Sequence, residues 1–286
     1  MGTGAVVSHL GGLIKDNTGY HLPGILCGSE GTLGVVTAVR LRLLPSRPHR
    51  TVAIMAFPTV TDALAASAGL RRSLPSLNAC ELFLSSGLEL VCAVTGAPPP
   101  LATRHPVYLL VEAADRSDPT GQLSDAVHTL ANVSDAVVAT EPARRITLWH
   151  YREAHTAAIN SLGSPHKLDV ALPFDALAGF IDRVPETVRS VAPRASTWLF
   201  GHVGDGNIHV NVTGVPPDDE RVDDAVFRLV ADHAGSISAE HGIGTAKKRW
   251  LTCSRSAGEL EVFRSLKQAL DPEGILNPNV LLPDPG

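Results

Sequence analysis

Apolar and polar positions along the chain fall into short β-branched runs that alternate with longer stretches of helical period. Residues 51–56 form a strand-like run, and Phe57-Pro58 leads into a helix around residues 62–73. Residues 107–113 predict a second strand, with a helix around 120–132. Residues 167–172 predict a third, and Pro173-Phe174 leads into a helix around 175–191. Residues 198–203 and 207–212 read as two further strands, followed by a helix near 218–234. A last helix is expected near 256–270, ending at the turn Asp271-Pro272-Glu273-Gly274. Upstream, residues 33–44 are strand-like and stop at Pro45-Ser46-Arg47-Pro48, where two prolines mark a boundary. Ala56-Phe57-Pro58 with Asp62-Ala63-Leu64 resembles Leu172-Pro173-Phe174-Asp175-Ala176-Leu177, a weak echo of one strand–helix unit in another. Pro98-Pro99-Pro100 marks a loop. Such units, one of them containing a tight hairpin, fit an α+β layer: an antiparallel sheet with helices on one face.

Composition narrows the function classes. With 286 residues the chain suffices for one large domain or two modest ones. A formal net charge of −5 argues against nucleic acid as a partner, and an aromatic share of 5% argues against base-stacking platforms. No apolar run approaches bilayer length, and Met1-Gly2-Thr3-Gly4 has neither the basic nor the apolar region of a signal peptide. The position-6 Ser or Thr of a myristoylation pattern is also missing. Cys27, Cys80, Cys92 and Cys253 lack zinc or redox spacing, so the expectation is a reduced, cytoplasmic protein with structural thiols.

The segment richest in chemistry is Gly201-His202-Val203-Gly204-Asp205-Gly206-Asn207-Ile208-His209-Val210-Asn211. Asp205-Gly206 between β-branched runs signals a two-residue hairpin. In that register His202 faces His209, with Phe200 and Asn211 on the same side, and two imidazoles converge on a metal ion. The plain alternative is a pair of polar residues on a solvent-facing strand. A carboxylate candidate downstream, Glu240 in Ser238-Ala239-Glu240-His241-Gly242-Ile243-Gly244, tips the balance toward metal, since two imidazoles and a carboxylate leave positions open for substrate. His241 is a candidate general base, and a helix is expected over residues 245–251. Read alone, that stretch is equally a glycine-assisted helix start. Trp149 to Thr156 reads as helical, placing Arg152 and Thr156 at i and i+4, with Lys167 opening the next strand. Arg and Lys there would clamp a carboxylate, although such residues are more often simply solvated. Gly28-Ser29-Glu30-Gly31-Thr32-Leu33-Gly34 is neither a Rossmann fingerprint nor a P-loop, and fits a plain turn as well as a phosphate cradle.

Lys15 to Tyr20 with Gly28 to Gly34, the histidine hairpin, Glu240 to Gly244, and Asp271-Pro272-Glu273-Gly274-Ile275-Leu276-Asn277-Pro278 together resemble, in that order, the FAD-linked oxidases of the vanillyl-alcohol-oxidase fold. That family includes D-2-hydroxyglutarate and D-lactate dehydrogenases and the flavin subunit of glycolate oxidase. The resemblance implies a small D-2-hydroxy acid oxidised to the 2-oxo acid, with hydride passing to FAD. It implies that His202, His209 and Glu240 hold a divalent metal, with zinc expected. It assigns deprotonation to His241, carboxylate binding to Arg152, Thr156 and Lys167, and substrate contact to Asn211. Gly28, Ser29, Glu30, Gly31 and Thr32 would line the FAD, with Asn277 near the flavin end. The implied organisation is residues 1–47 as the later part of an FAD-binding α+β domain, 48–240 as a substrate-binding cap domain, and 241–286 as a helical segment returning to the FAD domain. The earlier half of that cofactor domain lies outside this sequence. A truncated or misassigned start, a separate partner chain that supplies it, or a degenerate remnant would each account for this, and weak FAD retention with exposed apolar surface is expected. A subunit that completes another chain's flavin site is the main alternative, and a metal-dependent hydrolase the remote one.

Overall fold

The computed structural model describes all residues except His9 and residues 284–286. In chain order its helices and strands are α1 (Leu22–Leu26), β1 (His49–Phe57), α2 (Val60–Ser73), β2 (Leu77–Leu84), α3 (Ser85–Thr95), β3 (Val107–Asp115), α4 (Thr120–His128), β4 (Asp135–Ala139), α5 (Pro142–Glu153), α6 (His155–Asn160), β5 (His166–Ala171), α7 (Leu177–Val191), β6 (Ser196–Gly201), β7 (Asn207–Thr213), α8 (Arg221–Asp232) and α9 (Ala257–Leu270). The chain forms two compact units: Met1–Leu44 with Glu240–Gly286, and Pro45–Ala239. Among the described residues, no helix is long and apolar enough to cross a membrane.

The unit Pro45–Ala239 is built on one seven-stranded sheet in the order β4-β1-β3-β2-β6-β7-β5, antiparallel at every junction. Side chains alternate across a strand, and both sets are buried here. Ala53, Met55 and Phe57 of β1 share a face with Leu109 and Val111 of β3 and with Leu82 of β2, all fully buried. Cys80 on that face donates to Ser67 Oγ of α2 at 3.3 Å, which identifies the covering layer. In that layer α7 packs on α2 and α8, burying Phe180, Val184 and Val188 at helical spacing. Val52, Ile54 and Ala56 face the other way with Tyr108, Leu110, Phe83 and Phe200. They pack against Leu88 and Val91 of α3, Leu148 and Tyr151 of α5, and Ile159 of α6. Each large apolar side chain removed from water here contributes about 1.5–3 kcal/mol.

The α+β architecture with an antiparallel sheet is as the sequence suggests. The expected single helical face describes the α2, α4, α7 and α8 layer. The elements α3, α5 and α6 add a second layer, because the alternate residues of β1, β2 and β3 are apolar too. Residues 33–44, expected as a strand, form no regular element. A strand needs backbone partners, and none of the pairings in this sheet involves them. Val35, Val36, Val39, Leu41, Leu43 and Leu44 of that stretch are exposed. The helix expected over 245–251 is instead a 3-10 helix at Lys248–Cys253, set back by Gly242 and Gly244, both at positive φ.

His155 of α6 lies under this sheet with 1% of its surface exposed, its ring between those of Phe83 and Phe200. Its Nε2 has no hydrogen-bond partner among the described residues. Burial first, and the Arg152 charge second, push its pKa from 6.5 down to about 4. Between these values the unfolded chain binds the proton and the folded chain does not, so stability rises with pH across that window. Acidification from above the upper value to below the lower one should therefore remove roughly 3 kcal/mol through this group. His155→Leu is expected to flatten that part of the pH profile in denaturant titrations. An unchanged profile would show that His155 is not held neutral.

Candidate active site

Strands β6 and β7 form the predicted hairpin, in a different register. Phe200 pairs with His209, Leu199 with Val210 and Trp198 with Asn211. His202 O accepts from Asp205 N at 2.9 Å and from Asn207 N at 3.2 Å, so the connection spans residues 203–206 rather than Asp205-Gly206 alone. Only Gly206 of that dipeptide has a positive φ, and the two-residue turn requires both. The shift relative to the expected pairing is two residues on one strand, which preserves the side-chain face. His202 and His209 therefore still meet, with ring centroids 5.2 Å apart and planes at 82°. Gly204 N donates to Cys80 O at 3.3 Å and ties the turn to β2.

A buried carboxylate is hydrogen-bonded to one ring, and a second stands beside the other. His202 Nδ1 lies 2.7 Å from Glu81 Oε1, and His209 Nδ1 lies 3.3 Å from Asp169 Oδ1. Glu81 is 4% exposed and Asp169 fully buried, with Asn207 Nδ2 donating to Asp169 Oδ1 at 2.8 Å. A carboxylate on Nδ1 fixes the tautomer that presents Nε2 as a lone pair, the usual arrangement of metal-bound histidine. This donor set fits a divalent ion of intermediate softness such as zinc. Neither carboxylate belongs to a motif visible in the sequence. Asp169 carried a weak signal, an acidic residue between Leu168 and Val170 in an apolar run.

Arg152 is buried on α5. Its Nε donates to Glu81 Oε2 at 2.8 Å, and its guanidinium lies over the Phe200 ring at 4.5 Å. Lys167 of β5 is exposed and pairs across the ladder with buried Asn211, while Asp169 pairs with His209. Lys167, Asn211 and His209 thus lie on one face of the sheet, the face on which Arg152 lies over Phe200. The helix expected through Trp149 and Thr156 is interrupted at Ala154. Thr156 consequently sits exposed on α6 rather than stacked over buried Arg152.

The unit Met1–Leu44 with Glu240–Gly286 gathers the remaining candidates. Glu30 Oε1 and Oε2 accept from Ile243 N and Gly244 N, each at 2.7 Å. Asn277 Nδ2 donates to Glu30 O at 2.5 Å. The glycine loop, the segment carrying Glu240 and His241, and Asn277 are thereby joined through one residue. Gly28, Glu30 and Gly31 all have positive φ, and Ser29 and Thr32 are buried. Such turns can bring N–H groups close to a bound phosphate, although here Ser29 N and Thr32 N already donate to Leu26 O and Ser29 O. Lys267 of α9 donates to Thr32 O at 2.9 Å and Leu276 O at 2.7 Å and pairs with Asp271. Burial would raise the Asp271 carboxyl, but bonds from Lys267, Leu276 N and Ile275 N hold it below the ordinary value. The capping box at Ser256 and Glu259 fixes the start of α9. Ser256→Ala should cost about 1 kcal/mol, read in the denaturation midpoint.

Residues 46–281 match the family model described as FAD linked oxidases, C-terminal domain. The chain belongs to this family. It is 35% identical over 294 residues to a D-2-hydroxyglutarate dehydrogenase of Xanthomonas citri pv. viticola, covering 98% of this chain and 61% of that protein. It is 34% identical over 297 residues to the mitochondrial D-2-hydroxyglutarate dehydrogenase of Danio rerio, covering 99% and 54% respectively. The chain thus spans roughly half to three-fifths of the length of these relatives. Among solved structures it resembles alkyldihydroxyacetonephosphate synthase with a TM-score of 0.63 at 14% identity, over 93% of this chain and 50% of that one. At that identity the likeness shows a shared fold.

Proposed function

We propose that the chain carries the substrate and metal residues of an FAD-linked dehydrogenase acting on small D-2-hydroxy acids. The observation that carries this reading is the pair His202 and His209, each backed by a buried carboxylate, beside Arg152, Lys167 and Asn211. The similarity to D-2-hydroxyglutarate dehydrogenases supports a second carboxylate on the substrate. His202 and His209 would ligate the metal through Nε2, and Glu240 is assigned as the carboxylate ligand on the family resemblance. Gly28, Ser29, Glu30, Gly31, Thr32 and Asn277 would hold the FAD.

When bound, the flavin supplies the hydride acceptor, and a divalent metal supplies Lewis acidity that favours loss of the hydroxyl proton. The chain's own part is binding and proton management. Arg152, oriented through Nε by Glu81, offers its planar fork to a carboxylate, and Lys167 adds a compact charge. Asn211, held between β5 and β6, offers a donor and an acceptor beside His209. His241 would accept the hydroxyl proton as an imidazole.

Titration calorimetry of D-2-hydroxyglutarate into the zinc-supplied chain tests this assignment. Binding is expected with zinc and at least tenfold weaker after chelation. Lys167→Met should cost about tenfold in affinity, because a hydrogen bond to a charged group is worth about 1.5–3 kcal/mol. Equal affinity with and without metal would contradict the assignment.

A further inference from the structure

We propose that Glu81 is the positioning residue of the metal centre, setting both His202 and the carboxylate-binding Arg152 from a single buried side chain. The proposal rests on the metal reading of His202 and His209 given above. The two oxygens of Glu81 are divided between the two partners: Oε1 faces His202 Nδ1 at 2.7 Å and Oε2 accepts from Arg152 Nε at 2.8 Å. The carboxylate is 5% exposed at the side chain, so water competes little for either bond. Its backbone is fixed as firmly as its side chain. Glu81 sits in the middle of β2, opposite Leu110 of β3, and the preceding carbonyl of Cys80 receives Gly204 N from the hairpin turn. The strand that carries Glu81 therefore also holds the loop that carries His202.

Three consequences follow from this geometry. With Nδ1–H donating to an ionised carboxylate, Nε2 of His202 is the lone-pair nitrogen, as a metal ligand requires. The negative charge raises the donor strength of that ring toward a cation. The same charge holds the Arg152 guanidinium over Phe200, 4.5 Å from its ring centroid, and Phe200 pairs with His209 in the sheet. Glu81 thus links the metal-binding and anion-binding halves of the site, although it would touch neither metal nor substrate.

The test uses the full chain, with zinc alone as the probe in competition with a chromophoric chelator. His209→Ala removes a direct ligand. Glu81→Gln removes the charge while keeping the shape. The pair Glu81→Met with Arg152→Met removes both buried charges at similar volume and guards against misfolding of the single variant. Loss of Arg152 removes a cation and by itself cannot weaken cation binding by charge. The expected result is strong zinc binding by the parent chain and near loss in His209→Ala. Both Glu81 variants should bind zinc 10- to 100-fold more weakly, the usual effect of removing a ligand's hydrogen-bond partner. Nitrogen NMR of the zinc-free parent should show His202 as the Nδ1–H tautomer, with a tautomer mixture in the double variant. If His209→Ala loses zinc while both Glu81 variants keep parental affinity and tautomer, the Glu81 proposal fails and the metal reading stands. If the parent chain binds no zinc, or His209→Ala binds it unchanged, the metal reading fails and the Glu81 proposal falls with it.

Discussion

Arg152→Met is expected to lower the unfolding free energy by about 3 kcal/mol, the lower end of the cost of leaving one member of a buried ion pair without its partner. The arginine is 8% exposed and Glu81 4%, so neither charge can recover hydration by a small movement. His202 stays within reach of Glu81, which keeps the cost from rising higher. Replacing both Glu81 and Arg152 with methionine should recover most of the loss, since apolar groups of similar volume need no partner. Urea titration followed by tryptophan emission reads this directly, with Trp149 and Trp198 in the same unit as the pair. A single-variant cost below about 1 kcal/mol, the range of exposed pairs, would mean the guanidinium is solvated in solution.

Gly201→Ala should be comparably severe, for a steric reason. A Cβ on Gly201 would stand 2.3 Å from Asn207 O and 2.8 Å from Ile208 Cα. Both atoms are backbone, so no side-chain rotation relieves the contact, and the hairpin must open at its base. Overpacking of this kind costs about 1–3 kcal/mol, and the upper end is expected here. The functional effect should exceed the stability effect, because the two imidazoles approach each other only through this register. Zinc affinity of Gly201→Ala should fall at least tenfold even where circular dichroism shows a folded chain. Parental affinity in the variant would show that the ligand geometry does not depend on the hairpin.

Much of this was legible in the sequence wherever one signal dominated. The elements β1, β3, β5 and β7 follow from β-branched runs, and α2, α7 and α9 from helical periodicity. The element β2 was missed because Leu77 to Leu84 mixes Asn78, Cys80 and Glu81 into its alternation. With it went Glu81, whose role exists only after β2 is set beside β6. The hairpin face was readable but its register was not, since a slip of two residues leaves the side-chain pattern unchanged. Residues 33–44 misled for the opposite reason: their alternation is that of a strand, but pairing is a property of neighbours. The split at Ala154 had no sequence signal, because alanine favours helix on both sides of the break.

The most direct test of the proposed chemistry is anaerobic mixing of the zinc-supplied chain with FAD, raised until binding saturates, followed by D-2-hydroxyglutarate. The expected result is bleaching of the oxidised flavin spectrum that requires both chain and zinc, prefers the D over the L enantiomer and is lost in His209→Ala. Absence of bleaching at saturating flavin, in a chain that calorimetry shows to bind the hydroxy acid, would contradict the proposed oxidation.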